Sequence, residues 1–428
     1  MQNFLNSINS VVWGAPMLLF FIFTALRFSF KSRFFQFRGV ATIFKNTFGK
    51  MLRVDKTGEI SQFSAFCSVL GACIGTGNIV GVATAIYSGG AGTVFWMLLS
   101  ALLSTMTAYA ENYLGARNII RQSNKIIKGA YAYIQKATAS KFVPLIYALF
   151  SLMSALGMGN LTQSNSLADS LKNSFNISPI VTGLVCAVLC GVVITGGVKR
   201  IARVQTVVVP IMTIFYLVLS TAVLIKYKSN ILPCLSLILK EAFSIKAFSG
   251  FGMYKAVRYG ISRGVFSNEA GLGSSTILHS ETDNSDGEVQ GTWAMTEVFI
   301  DTIFMCSLTA IVILISTDYN HNGLFGAELS TTAYGTIGEI GKKGVGILTA
   351  IFAFSSLASC SFYGEKSFEY LWGKKHLTLY KAFYIIAVFM GCVSSPKIIW
   401  TIADICNGLM AIPNLFSINC LHKEVTYP

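Results

Sequence analysis

Charge is what this sequence has least of. Only 12% of its 428 residues are Asp, Glu, Lys or Arg, where a soluble domain carries about 25%. That deficit excludes an ordinary soluble protein. Histidine is scarcer still: there are four, each isolated in sequence, which argues against a metal centre. No two of the ten cysteines form a C-x-x-C pair. Cys67, Cys73, Cys186, Cys190, Cys306, Cys392 and Cys406 lie in apolar runs and read as small buried hydrophobes. No G-K-[ST] follows the glycine-rich stretches, so a phosphate-binding P-loop is excluded. Short alternating strands are also missing, which excludes a transmembrane β-barrel. The first apolar run, Val11 to Phe30, leads into a basic stretch and not into a small-residue cleavage site, so no cleaved signal peptide is expected.

What is present is apolar length. Hydrophobic residues make up 53% of the chain, and the mean hydropathy is +0.60. Runs of roughly 20 residues, enough to cross a bilayer core, recur from end to end. They predict an all-α polytopic membrane protein with about eleven spans: 11–30, 61–87, 93–116, 142–161, 179–196, 204–225, 247–277, 289–316, 345–364, 379–395 and 398–418. The seventh is unusual in holding Lys255, Arg258, Arg263 and Glu269. The net charge of +14 belongs to loops and does not imply nucleic acid. Loops on one side, with the C-terminal tail, hold 20 Lys and Arg against 8 opposite. The basic side is cytoplasmic by the positive-inside rule, which puts the N-terminus outside and the C-terminus inside. The acidic loop 278–288, with Glu281, Asp283, Asp286 and Glu288, sits on that same side. The stretch FFQFRGVATIFKNTF, 34–48, is too short to span and predicts an amphipathic helix along the cytoplasmic surface.

Two spans carry glycines beside small polar residues: GTGNIVG in the second and SRGVFSNEAGLGSS, Ser262 to Ser275, in the seventh. Glycine costs a helix interior about 1 kcal/mol relative to Ala. Non-helical backbone at membrane depth survives only where it is buried in protein or lines a cavity. Both spans therefore read as broken helices. Counted from the second span, they are helices 1 and 6 of a ten-helix set, as expected for two five-helix units. Gly-interrupted segments in matching positions of two halves point to a transporter binding site. Free N–H groups at such breaks suit a carboxylate, and free carbonyls suit a cation such as Na⁺. The competing reading of Gly77 and Gly81 is a GxxxG helix-packing pair.

GTGNIVGVATAIYSGGAGTVFWM, YGISRGVFSNEAGLGSS, FIDTIFMCSLTAIVIL, FYGEKSFEYLWG and NGLMAIPNL, in this order, resemble the alanine or glycine:cation symporter family. The resemblance covers nearly the whole chain. It implies a LeuT-like fold, a 5+5 inverted repeat preceded by one extra N-terminal helix. The segments would be 1–60 (extra helix and amphipathic segment), 61–225 and 226–418 (the repeats) and 419–428 (tail). It implies Na⁺-coupled, in some members H⁺-coupled, import of small neutral amino acids such as alanine, glycine or serine, with glutamine carried by some members. No enzymatic activity and no cofactor are implied, and the functional unit would be a monomer in the bacterial inner membrane.

On the matching positions, the resemblance places Thr76, Gly77 and Asn78 at the substrate carboxylate. It places Ser267, Asn268 and Gly271 at the second turn, near the amino group and side chain, with Gln163 beside the substrate. Ser355 and Ser356 would hold Na⁺ with carbonyls near Gly71 and Ile74. The competing readings are an interhelical hydrogen bond for Gln163 and back-bonding along the helix for the serines. Charged groups within spans are functional hypotheses by default. Glu269 and Asp301 are candidates for ion coupling, Glu111 for a gate or a pair with Arg117, and Asp404 for helix packing.

Two features depart from the family pattern. Ser359-Cys360 stands where many members have Gly-Trp, and a thiol in place of an indole predicts a wider pocket, with room for glutamine. After NGLMAIPNL the chain turns polar early, in FSINCLHKEVTYP. A short last helix, as in a truncated product, is the expectation. The rivals from other classes are a non-transporting sensor that keeps the site, a channel, and an intramembrane enzyme, for which no nucleophile–base pair lies in the spans.

Overall fold

A computed structural model describes residues 2–50, 60–122, 125–243, 252–282, 286–318, 323–394 and 396–428. Residues 247–251 of the expected seventh span lie outside the described residues, as do Arg53, Lys56, Lys246 and Asp283 of the charged loops.

The chain is helical almost throughout. An N-terminal pair, α1 (Gln2–Val12) and α2 (Ala15–Lys31), turns at Gly14. Two short helices follow, α3 (Phe35–Arg38) and α4 (Val40–Asn46). They lie in the stretch expected to be amphipathic, where Phe35 is buried while Phe37, Val40 and Phe44 are exposed. The first interrupted span is α5 (Gln62–Cys73) and α6 (Val80–Gly89), and α7 (Gly92–Arg117) returns across the bilayer. A small hairpin, Ile120–Gln122 with Lys125–Ile127, leads to α8 (Ala130–Thr138). Then come α9 (Phe142–Leu156), α10 (Thr162–Phe175), α11 (Pro179–Ile194), α12 (Gly197–Lys226) and α13 (Ile231–Ala242). The second interrupted span is α14 (Gly252–Asn268) and α15 (Ser275–His279). The rest is α16 (Gly287–Val298), α17 (Ser307–Ser316), α18 (Ala327–Gly335), α19 (Glu339–Trp372), α20 (Leu377–Val393) and α21 (Pro396–Cys420).

Among the described residues eight helical stretches are long and apolar enough to cross a membrane, and Gln62–Cys73, Val80–Gly89 and Pro179–Ile194 are apolar but shorter. The fourth span is longer than its apolar run. It continues through a π-helical turn, Gly157–Leu161, into α10 and ends at Phe175, not at 161. The run TQSNS hid this, because polarity reads as loop. In the fold Thr162, Gln163, Ser164, Asn165 and Ser166 are all buried against protein. A second π turn, Phe299–Cys306, joins α16 to α17. The last helix is 25 residues long, not short. Beyond it the tail folds back on the bundle: the Tyr109 hydroxyl donates to the Thr426 carbonyl at 2.9 Å, and Tyr427 stacks on Tyr109.

Association of helices in lipid relies on close packing of small residues. The α7–α16 contact shows how close. A Cβ on Gly291 would stand 2.5 Å from the Tyr109 ring, and one on Gly287 2.7 Å from the Tyr113 ring. Gly291→Val is therefore expected to lower the thermal midpoint of the purified protein. Overpacking of this kind costs about 1–3 kcal/mol. An unchanged midpoint would mean that the two helices separate freely.

Candidate functional site

The first break forms because the backbone has somewhere else to bond. Helix α5 ends at Cys73, and Thr76–Asn78 form a single tight turn before α6 begins. The Gly75 N–H donates to Asn78 Oδ1 at 3.1 Å, and the Thr76 N–H donates to Gln163 Oε1 at 2.9 Å. A side-chain amide from another span thus replaces a helical partner. Two glycines are dictated by close approach. A Cβ on Gly75 would lie 2.3 Å from Ser356 Oγ and 2.9 Å from Gln163 Oε1. One on Gly71 would lie 2.6 Å from Gln205 Oε1 and 2.7 Å from Ser355 Oγ. Gly77 faces the Phe266 ring of α14.

The second break begins later than the motif suggested. Ser267 and Asn268 close the last turn of α14, and the unwound stretch is 269–274. Gly271 and Gly273 take positive φ, +95° and +74°, and so does Glu269 at +56°, a conformation uncommon for a non-glycine residue. Side chains hold the loop open. Asn268 Oδ1 accepts from the Ala270 N–H at 3.0 Å, and Ser274 donates to the Glu269 carboxylate. The Tyr147 hydroxyl donates to the Leu272 carbonyl, and Asn414 Nδ2 to the Gly271 carbonyl, both at 2.9 Å.

Asp301 ties the first break to the helix that leads into the second. Asn78 Nδ2 donates to its Oδ1 at 2.7 Å, and Ser267 and Thr302 both donate to Oδ2 at 2.7 Å. The carboxylate is fully buried, and these partners are an amide and two hydroxyls, none of them a cation. A carboxylate so placed in a membrane span is expensive.

The serine pair lies on the other side of the first break. Ser355 Oγ is 3.2 Å from the Gly71 carbonyl, and Ser356 Oγ is 3.0 Å from the carbonyls of both Gly71 and Ala72. Ser355, Ser356 and Gly71 come together as expected. The second carbonyl the hydroxyls meet is Ala72's, while Ile74 follows the last turn of α5 as its C-terminal cap.

Two expectations change, and a third, helix packing by Asp404, gains its partner. Glu111 does not pair with Arg117. It accepts from Asn414, which also holds Gly271, while Arg117 lies over the Tyr113 ring. Asp404 has a partner the sequence did not reveal: Arg263 bonds it through both guanidinium nitrogens at 2.8 Å. That guanidinium also lies 5.5 Å from the Phe266 ring centre and 5.0 Å from that of Trp400, and these two rings stack. The space beside Cys360 is not wide. Cys360 packs on Gly159 of the first π turn, and a cavity of only about 10 Å³ remains among Met158, Glu269, Tyr363 and Met410, room for about one water.

Sequence reasoning also missed buried groups. Gln205 bonds Ser355 twice, and His279 pairs with Glu297 at 2.8 Å. The Tyr363 hydroxyl has no hydrogen-bond partner among the described residues. The only signal for Gln205 was an amide inside an apolar run.

Comparison with known proteins settles the family. The profile of the sodium:alanine symporter family matches residues 1–427. The chain belongs to that family. It is a multi-pass membrane carrier, not an enzyme. It is 37% identical to an uncharacterized transporter of Haemophilus influenzae, covering 99% of this chain and 94% of that one. It is 35% identical to the sodium/alanine symporter AgcS of Methanococcus maripaludis over 98% and 94% of the two chains. It is 29% identical to the probable sodium/glutamine symporter GlnT of Bacillus subtilis over 99% and 89%. Its fold is that of MhsT, whose crystal structure in complex with L-phenylalanine matches with a TM-score of 0.64 at 15% identity, covering 85% of this chain and 89% of that one. The LeuT-like architecture expected from the motifs is therefore the fold of this family member.

Removing one partner of a buried ion pair leaves an uncompensated charge, at a cost of about 3–5 kcal/mol. Arg263→Met should therefore destabilise the purified protein strongly, and adding Asp404→Asn should restore much of the lost thermal midpoint. A single variant as stable as the parent would show that the pair is hydrated and not buried.

Proposed function

We propose that the protein imports small neutral amino acids of the alanine, glycine and serine class together with Na⁺, by alternating access. The observation that carries this reading is the meeting on Asp301 of the first break, through Asn78, and of the helix that leads into the second, through Ser267. In this reading the turn Thr76–Gly77–Asn78 takes the substrate carboxylate, with the Thr76 N–H exchanging its bond to Gln163 for the anion, since amides at a helix break favour an anion. Ser267, Asn268 and Gly271 face the amino group, and Gln163, an amide that both donates and accepts, lies beside it. Cys360 lines the side-chain end. The cavity there favours small side chains, and glutamine would require Met158, Met410 or Tyr363 to move. The cation sits among the carbonyls of Gly71 and Ile74 and the hydroxyls of Ser355 and Ser356, where the Ala72 carbonyl adds a further oxygen. Hard cations prefer oxygen ligands. Glu269, Asp301 and Glu111 link the breaks to the surrounding helices as coupling and gating groups.

The moving unit is α5–α7 with α14–α17, drawn from two five-helix repeats, 61–225 and 226–418, and it rocks against the remainder. No covalent step and no cofactor enter. The protein acts as a monomer in the bacterial inner membrane, with its N-terminus outside and its C-terminus in the cytoplasm.

Radiolabelled alanine uptake into proteoliposomes tests this. An inward Na⁺ gradient should drive accumulation that falls to background when the gradient is collapsed. Glycine and serine should compete, and glutamine should compete poorly. Ser356→Ala should raise the half-saturating Na⁺ concentration about tenfold, equivalent to about 1.4 kcal/mol of binding. Flux that ignores the gradient would point to a channel or exchanger, and strong competition by glutamine would reassign the substrate class.

A further inference from the structure

Gln205 lies near the N-terminal end of α12, fully buried, on a helix that supplies none of the cation ligands named above. Its orientation is fixed by chemistry. Nε2 donates to the Ser355 carbonyl at 2.8 Å, and a carbonyl can only accept, so the amide oxygen must face the other way. That oxygen is 2.7 Å from Ser355 Oγ. The same hydroxyl lies 3.2 Å from the Gly71 carbonyl. Ser355 has one proton and two acceptors competing for it, and the shorter contact is to Gln205.

The converging oxygens are those of Gly71, Ala72, Gln205, Ser355 and Ser356, and only the two hydroxyls among them carry protons. The surplus of lone pairs suits a cation, provided the Ser355 proton points away from it. We propose that Gln205 is a positioning residue for the cation: its carbonyl takes the Ser355 proton and so turns the Ser355 lone pairs toward Gly71 and Ser356. The assignment rests on the cation site proposed above. Without the Gln205 acceptor, Ser355 donates to the Gly71 carbonyl and both oxygens are spent on each other. Outer partners of this kind are worth about 10–100-fold in metal affinity.

The test reads binding apart from transport. The thermal midpoint of the purified full chain is followed against NaCl, with choline chloride keeping ionic strength constant. Alanine uptake is followed against Na⁺ in parallel. Gln205→Leu, of similar volume, should raise the half-saturating Na⁺ at least tenfold in both assays, with little change in the maximal rate at saturating Na⁺. Gln205→Glu, which keeps an acceptor oxygen against Ser355, should recover most of the lost affinity. Saturation of Gln205→Leu at the parent's Na⁺ concentration would overturn the assignment, and so would a Glu variant as weak as the Leu variant. A parent protein that gains no stability from Na⁺ would overturn the cation site itself and this assignment with it. That outcome differs from failure of Gln205 alone, in which the parent saturates and the Leu variant matches it.

Discussion

The structure depends on one constraint: two helices are broken at membrane depth, and every polar group so exposed must find a partner inside the protein. Asp301 meets that constraint at the centre. Its two oxygens collect Asn78 from the first break, Ser267 from the helix that leads into the second, and Thr302 from its own π turn. The π turn has a purpose in this light. A widened turn at Phe299–Cys306 also sets the Cys306 sulfur within reach of Asn78 and Ser267. The outer shell follows the same logic. Gln163 holds Thr76, Tyr147 holds Leu272, and Asn414 holds Gly271, so each unwound stretch is fixed by side chains from spans that are not themselves broken.

Not all buried charge is alike. Arg263 and Asp404 neutralise each other bidentately, and the guanidinium is roofed by Phe266 and Trp400. Such a pair is balanced in charge, although Arg263 Nε has no hydrogen-bond partner among the described residues, and it welds α14 to α21. Asp301 has donors but no cation among them, and Glu111 keeps one oxygen unpartnered among the described residues. Glu269 is held by Ser274 in a backbone conformation that glycine would adopt more readily. The first pair reads as architecture. The others are buried carboxylates whose bonds named here come from neutral donors, and the proposed coupling roles fall on them.

Much of this was legible in the sequence because glycine and small polar residues cannot hide in an apolar run. Gly71, Gly75 and Gly77 marked the first break correctly, and the structure adds the reason: a methyl on Gly71 or Gly75 would collide with side chains of other spans. The second break was placed two residues early, since Ser267 and Asn268 are polar yet helical. The opposite error hid half of the fourth span, where TQSNS is polar because it faces protein and not lipid. Ser355 and Ser356 came from resemblance to a family, not from any pattern of their own. Gln205, the Arg263–Asp404 pair and the filling around Cys360 were illegible. Each is a contact between residues far apart in the chain, 141 positions for the ion pair, and no local periodicity encodes such a meeting.

The close spacing of the two proposed sites gives the coupling a physical form. Gly75 touches both: the space a Cβ would fill there is shared by the hydroxyl of Ser356, from the proposed cation site, and the amide of Gln163, from the proposed substrate site. The adjacent Thr76 N–H bonds that same amide. A cation that draws Ser356 and the Gly71 and Ala72 carbonyls together must also set the position of Gly75. Gly75 in turn bonds Asn78 through both its N–H and its carbonyl, and so closes the Thr76–Asn78 turn. Ordering the turn in advance lowers the conformational cost that a substrate would otherwise bear on binding. By linkage the substrate must then tighten the cation by the same factor. In this reading no long relay is required, because the coupling path is one glycine wide, and the absence of a side chain there is what lets both sites touch it.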